Sequence, residues 1–282
     1  MPSSEHTKRN IGGADWVAIL EAQAACPPAR PREPLRLAEP AVSIGSIEPA
    51  VAIRLADAGL PLEPFDGRWR VAGPADDGLR RIAEWLHANG ASQRWRNELL
   101  AVEAEGGHTA ARIERAAMRA LGLTTRAVHL VGRTEAGEVW VQQRAFDKST
   151  DPGLWDTLMG GQVAAGESTA DTLERETREE AGLAIGSLRD LEARGRLTIR
   201  RPVIDGYMVE HIEVFEAVVP AGLFPQNRDG EVERFELLTP AALVERLREG
   251  VFTLEAALIL IGSLRRRGLL PEGPPGKLSI VR

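Results

Sequence analysis

The stretch that most constrains this chain runs from Gly160 to Leu183, GGQVAAGESTADTLERETREEAGL. Its distinctive residues come at fixed steps: Gly161, then Glu167, then Arg175-Glu176, then Glu179-Glu180, then Gly182. Ser168 stands where a helix N-cap belongs, and Asp171 can answer it as a short-armed capping box. Ala170, Leu173, Thr177 and Ala181 recur at three- and four-residue steps, which predicts a helix with one buried face, and Gly182 supplies its stop. Glu176, Glu179 and Glu180 then share another face. Carboxylates ~6 Å apart repel by roughly 2–3 kcal/mol per pair at an effective dielectric of about 20. A divalent cation turns that repulsion into attraction, and hard oxygen ligands suit Mg²⁺ or Mn²⁺. Arg175, four residues before Glu179, is placed to orient a carboxylate.

The totals narrow the class. A chain of 282 residues can bury a full core in one or two domains. Its net charge of −6 argues against bulk nucleic-acid binding, which needs a basic field. A single cysteine, Cys26, excludes an internal disulfide framework and fits a reducing compartment. The segment DWVAILEAQAA carries Asp15 and Glu21 and does not read as a signal peptide. The most apolar run, residues 254–264, contains Glu255 and is too short to span a bilayer. A cytoplasmic protein, with neither nucleic acid nor membrane as partner, is the expectation; oligomeric state is left open.

Along the chain, residues 1–14 read as a flexible N-terminus, 15–121 as a small mixed α/β domain without a chemical motif, and 122–282 as the domain holding the acidic helix. In the first part, helices are expected near 16–24, 48–58, 77–88 and 109–121, and strands near 41–44, 69–71 and 98–103. The Pro/Arg-rich stretch up to Pro34 reads as a connector. From Thr125 the pattern changes to hairpins. Segments 127–132 and 139–144 flank the turn Thr134-Glu135-Ala136-Gly137. Strands near 155–159, 195–201, 207–219 and 234–237 follow, with helices near 240–249 and 254–267, and an irregular tail over 271–275.

The Gly161-to-Leu183 spacing resembles the Nudix box, so residues of about 125–270 are similar to the Nudix hydrolase superfamily. That resemblance implies a mixed sheet sandwiched between helices, an α/β/α core. It also implies divalent-cation-dependent attack of water on a diphosphate linked to an organic group. In the family, the carbonyl of the glycine matching Gly161 and the glutamates matching Glu176, Glu179 and Glu180 hold the metals. A carboxylate from a later loop often joins as ligand or base, for which Glu231 is preferred over Glu233. The position of Thr177 usually holds an aliphatic residue.

A finer likeness rests on WRNELLAV (95–102), the strand of Ala127, Val128, His129 and Leu130, the 140–148 segment and the 230–237 stretch. These look like a two-domain branch related to the Nudix part of fungal thiamine pyrophosphokinase fusions. Relatives of that kind are associated with thiamine diphosphate and its oxidised or deaminated analogues. The branch places a basic pair at Arg144 and Lys148, able to meet phosphate oxygens. Trp140, Trp155 and His129 are candidates to contact a flat ring. Three rivals stand beside this reading: a pyrophosphohydrolase of a nucleotide sugar or dinucleotide, a non-catalytic ligand sensor, and an isopentenyl-diphosphate isomerase. The isomerases depend on a cysteine in the Nudix half, where this chain has none. Thr198 stands where many ADP-ribose enzymes carry a proline. All four box glutamates are present, which disfavours the sensor.

Overall fold

A computed structural model describes residues 15–92 and 94–272. Residues 1–14 and most of the expected 271–275 tail lie outside the described part.

The N-terminal half is built on a four-stranded sheet of β1 (Glu33–Glu39), β2 (Ser43–Ile47), β3 (Leu62–Phe65) and β4 (Arg68–Pro74). Its order is β2-β1-β4-β3, with β1 and β4 parallel. The connector expected up to Pro34 thus already enters β1. Helix α2 (Pro49–Asp57) starts with proline at its first turn, where the missing N–H costs nothing. Helix α3 (Ala75–Ala88) buries Leu79, Ile82 and Leu86 at helical spacing against this sheet.

The helix expected over 109–121 does not form. Instead β5 (Leu99–Glu103) and β6 (Thr109–Glu114) make a hairpin. Gly106 and Gly107 both take positive φ at its turn, and Leu100 and Val102 pair with Ile113 and Ala111 on the buried side. Alanine-rich composition favours helix. Here the two-residue alternation of buried side chains and the glycine turn override it.

The second half carries the larger sheet: β7 (Thr124–Arg133), β8 (Val139–Arg144), β9 (Trp155–Asp156), β10 (Met159–Gln162), β11 (Arg189–Val203), β12 (Gly206–Val218) and β13 (Val232–Leu238). The main order is β11-β12-β7-β8-β13, with β10 on β7 and β9 on β8. Strands β7 and β12 run parallel and the other pairs antiparallel, so the sheet is mixed.

Side-chain alternation along β7 divides two cores. Val128 and Leu130 pack with Leu173 and Ala181 of α4 (Thr169–Ala181) on one face. Ala127 and Val131 pack on the other with α6 (Leu254–Arg266), beside α5 (Pro240–Arg248). The result is the expected α/β/α sandwich. The first helix, α1 (Trp16–Gln23), belongs to this second core: Trp16 and Leu20 bury against it, and Arg265 bonds Glu21 at 2.7 Å.

The halves also meet at the loop before α4, where Ala165 N–H donates to the carbonyl of Leu99 at 2.9 Å. Among the described residues, no helix is long and apolar enough to cross a membrane.

Candidate functional site

Local sequence sets the acidic helix as expected. Ser168 Oγ accepts from the backbone N–H of Asp171 at 3.1 Å, and Asp171 accepts from the backbone N–H of Ser168 at 3.3 Å. Gly182 ends the helix at φ 64°, in the left-handed region. The buried face is Thr172, Leu173, Thr177, Glu180 and Ala181, while Ala170, expected there, is exposed. Thr177 fits because its hydroxyl donates to the carbonyl of Leu173 at 2.6 Å, so no buried polar group is left unmatched.

Glu180 therefore lies on the packed side, only 1% exposed. Its carboxylate accepts from Gln142 Nε2 at 2.9 Å and from Gly160 N–H at 3.1 Å, and Lys148 Nζ stands 3.7 Å away. Burial nevertheless pushes its pKa up to about 7 against Lys148, with the Glu176 charge adding to the rise. Burial also raises Glu176, to about 6, although Arg175 opposes it. Arg175 is the hub: it grips both oxygens of Glu167 at 2.8 and 2.9 Å and reaches Glu176 at 2.8 Å and Glu179 at 3.1 Å. Those contacts hold the Glu167 carboxyl well below the usual carboxylate range.

The two glycines before the helix are needed for space rather than for backbone freedom. A Cβ on Gly161 would fall 2.2 Å from the Glu176 carboxyl carbon, and one on Gly160 would fall 2.6 Å from the His129 ring. Strand β10 thus presses its bare backbone against one acid and one imidazole. Thr157 donates its hydroxyl to Met159 O at 2.8 Å, so at its 2.9 Å contact with His129 it accepts, and Nδ1 of the ring carries the shared hydrogen.

These groups open on one cavity of about 180 Å³. Glu176, Glu180, Gly161, Glu231, Lys148, Arg144 and His129 all line it. Lys148 bonds Glu231 directly. Burial pushes the Glu231 carboxyl up, but Lys148, with Arg115 and Arg144 in range, brings it to a net position below normal. Arg144 is fixed by the carbonyls of Asp151 and Thr150 and by Asp156 at 3.3 Å.

Other expected residues stand elsewhere. Glu179 is half exposed on Arg175, and neither Glu179 nor Arg175 belongs to the cavity lining. Glu233 is exposed and also outside it. Trp140 packs edge-on to Phe224, 6.4 Å between ring centres, and Trp155 is buried in the α6-side core with Arg246 over its ring at 4.6 Å. Neither tryptophan lines the cavity, because strand position put them near it in sequence while packing turned them to other neighbours.

The cavity also contains residues that the sequence reading missed. Glu210 and Glu255 line it, each under a tenth exposed. Glu210 accepts from Thr125 Oγ1 at 3.1 Å and from Gln162 Nε2 at 3.3 Å. Burial raises Glu255 to about 7, against Arg201 at 3.4 Å. A signal for Glu210 existed: it falls on the inward positions of β12, alternating with Met208 and Ile212. Arg96, Arg115 and Arg119 reach the same cavity from the N-terminal half.

A divalent cation fits this donor set in kind. The oxygens are hard, Glu180 is buried, and the bare Gly161 backbone admits the Glu176 carboxyl where a Cβ would stand. As placed, Glu176 turns to Arg175 and Glu231 to Lys148. Among the described residues, no group of three His, Cys, Asp or Glu side chains gathers closely enough to share one ion.

A family model described as NUDIX domain matches residues 123–257. "Nudix hydrolase 24, chloroplastic" of Arabidopsis thaliana is 33% identical over 60% of this chain and 48% of its own length. An isopentenyl-diphosphate Delta-isomerase of Rhodobacter capsulatus is 35% identical over 39% of this chain and 61% of its own length. The crystal structure of DR0079 from Deinococcus radiodurans covers 57% of this chain and 97% of its own at 24% identity, with a TM-score of 0.45. The chain spans about half the length of the curated relatives that head the comparison, 48% and 46%.

Proposed function

We propose that residues 123–257, which match the NUDIX domain model, form a Nudix domain and that this chain hydrolyses a diphosphate linked to an organic group in a divalent-cation-dependent reaction. The observation that carries the reading is the meeting of Glu176, Glu180 and Gly161 with Lys148, Arg144 and Glu231 in one cavity. The cations Lys148 and Arg144 bind the diphosphate oxygens, and their fixed partners hold them in place for it. Glu231, kept ionised below the normal range, takes the proton of the attacking water. Gln142 and the Gly160 N–H orient the Glu180 carboxylate, while Arg175 orients Glu176 and Glu179. Mg²⁺ or Mn²⁺ held by the Gly161 carbonyl, Glu176, Glu179 and Glu180 would neutralise phosphate charge and orient that water.

Within this class we place thiamine diphosphate and its oxidised or deaminated analogues first, cut to monophosphates. The support is the branch likeness of WRNELLAV and the 140–148 segment. With Trp140 and Trp155 outside the cavity, ring contact falls to His129, Met118 and Met208, which line it. A nucleotide sugar or dinucleotide is the alternative substrate, and a cytoplasmic location belongs to the same proposal.

The isomerase reading is favoured by the Rhodobacter similarity. Against it, Cys26 lies outside the cavity, its thiol bonded to the carbonyl of Ala22 at 3.2 Å. The test is kcat/KM with Mg²⁺ on thiamine, oxythiamine and oxothiamine diphosphates beside ADP-ribose, NADH, a deoxynucleoside triphosphate and isopentenyl diphosphate. The damaged thiamine diphosphates are expected to lead by at least ~10-fold. A nucleotide in the lead ends the thiamine reading, and isomerisation without phosphate release ends the hydrolase.

A further inference from the structure

The 95–102 segment, WRNELLAV, is the part of the N-terminal half that carries the branch likeness, and the acidic helix gives it no role. Its structure is specific. Glu114 is buried and accepts from the backbone N–H groups of Arg96 at 2.8 Å and Glu98 at 3.1 Å. Trp95 donates to Asn97 Oδ1 at 2.9 Å across a backbone that turns left-handed at Asn97, φ 57°. Arg115 N–H donates to Glu98 O at 2.9 Å, and its guanidinium bonds the Glu98 carboxylate at 2.8 Å. The carbonyl of Leu99 then receives Ala165, in the loop leading to α4. The segment is thus pinned at both ends, and it projects Arg96 between them.

Charge matching in the cavity singles out that side chain. Arg144 has Asp156, Lys148 has Glu231, Arg201 has Glu255, Arg119 has Asp205 and Arg115 has Glu98. Arg96 has only the neutral hydroxyl of Ser149. Among the described residues it is the cavity cation without a carboxylate partner. A substrate carrying two phosphates brings more negative charge than Lys148 and Arg144 can meet while they remain bonded to Glu231 and Asp156. Arg115 adds to the same field, since it helps depress the Glu231 carboxyl.

We propose that the 95–98 loop is a phosphate-binding arm supplied by the N-terminal half, with Arg96 as the contacting residue and Arg115 reinforcing it. This rests on the diphosphate-hydrolase reading and assigns part of the substrate site to the half that had no role. The arm explains why a second unit accompanies the catalytic one: the anion site is complete only when both are present.

The experiment uses the full chain, with inorganic pyrophosphate as the probe, titrated by calorimetry with and without Mg²⁺. Steady-state kinetics follow on the best diphosphate of the panel. Arg96→Ala breaks only the Ser149 contact, so circular dichroism and Tm stay at wild-type values. It raises both the pyrophosphate Kd and the substrate KM by about 10-fold, with kcat within about three-fold. Arg96→Lys recovers most of that loss, and Arg115→Ala gives a smaller rise. Wild-type hydrolysis with Arg96→Ala and Arg115→Ala both within two-fold of it in Kd and KM overturns the arm and leaves the hydrolase standing. A wild-type chain that neither binds pyrophosphate nor releases phosphate from any diphosphate overturns both.

Discussion

Replacing Gly161 by alanine separates chemistry from folding. The backbone at Gly161 lies outside the left-handed region, so alanine can adopt it without strain. The new methyl would lie 2.2, 2.3 and 2.4 Å from the Glu176 carboxyl carbon, its Cγ and one oxygen, where ordinary contact begins at 3.4 Å. The carboxyl must therefore retreat by about 1 Å or more, and misplacement on that scale costs about 10²-fold in rate. Folding has little at stake: the clash is with the far end of a flexible side chain, and the Arg175–Glu176 pair it breaks is partly exposed.

Gly160→Ala is the contrasting neighbour. Its methyl meets the His129 ring at 2.6 Å, and that ring is buried and bonded to Thr157. The ring cannot move aside, so overpacking of about 1–3 kcal/mol appears as lost stability. The assay is kcat/KM on a diphosphate with Mg²⁺, alongside thermal denaturation of both variants. Gly161→Ala should lose about 10²-fold in activity with Tm nearly unchanged, and Gly160→Ala should lose several degrees. Gly161→Ala keeping more than half of wild-type activity would refute the placement of Glu176 in the site.

Three further outcomes follow from other parts of the molecule. Cys26→Ala should leave kcat/KM within about two-fold, since the thiol is outside the cavity; a large loss with the fold intact would reopen a thiol mechanism. Glu255, with its pKa raised to about 7 by burial, favours the folded state below the unfolded value near 4.5 and loses that contribution as pH rises through 7. Glu255→Gln should shrink the Tm difference between pH 5 and pH 8, by the equivalent of up to about 3 kcal/mol; an unchanged difference in a pH-scanned melt would contradict this. Trp16→Ala, on a residue 4% exposed, should cost about 3–5 kcal/mol in urea denaturation and loosen the α6-side core; a cost below about 1 kcal/mol would show that α1 is not part of that core.

What the sequence disclosed was what neighbouring residues decide. Ser168, Asp171 and Gly182 act within a few positions of themselves, and the acidic helix formed with the cap, stop and αL geometry they imply. The hairpin of β7 and β8 was legible for the same reason. The β6 strand was not, because alanine content favours helix locally while the strand depends on a partner across the Gly106-Gly107 turn. Ala170 and Glu180 exchanged their expected surroundings, since a three-to-four step leaves the edge of a helical face undefined by one residue. Trp140 and Trp155 were drawn toward the cavity by proximity in the chain, and only packing shows that Phe224 and Arg246 claim them. Arg96 and Arg115 were out of reach of any local reading. They join the site through a contact between halves that no spacing within either half encodes.

In the proposed reaction Glu176, Glu179 and Glu180 serve a divalent cation during diphosphate hydrolysis. The direct measurement is release of phosphate from the leading diphosphate by the wild-type chain and by Glu180→Gln, each with Mg²⁺ and with chelator. Turnover is expected to need Mg²⁺ and to fall by at least ~10²-fold in Glu180→Gln, while Tm holds or rises because a buried carboxylate has been neutralised. Turnover that survives chelation, or a Glu180→Gln variant as active as wild type, would contradict it.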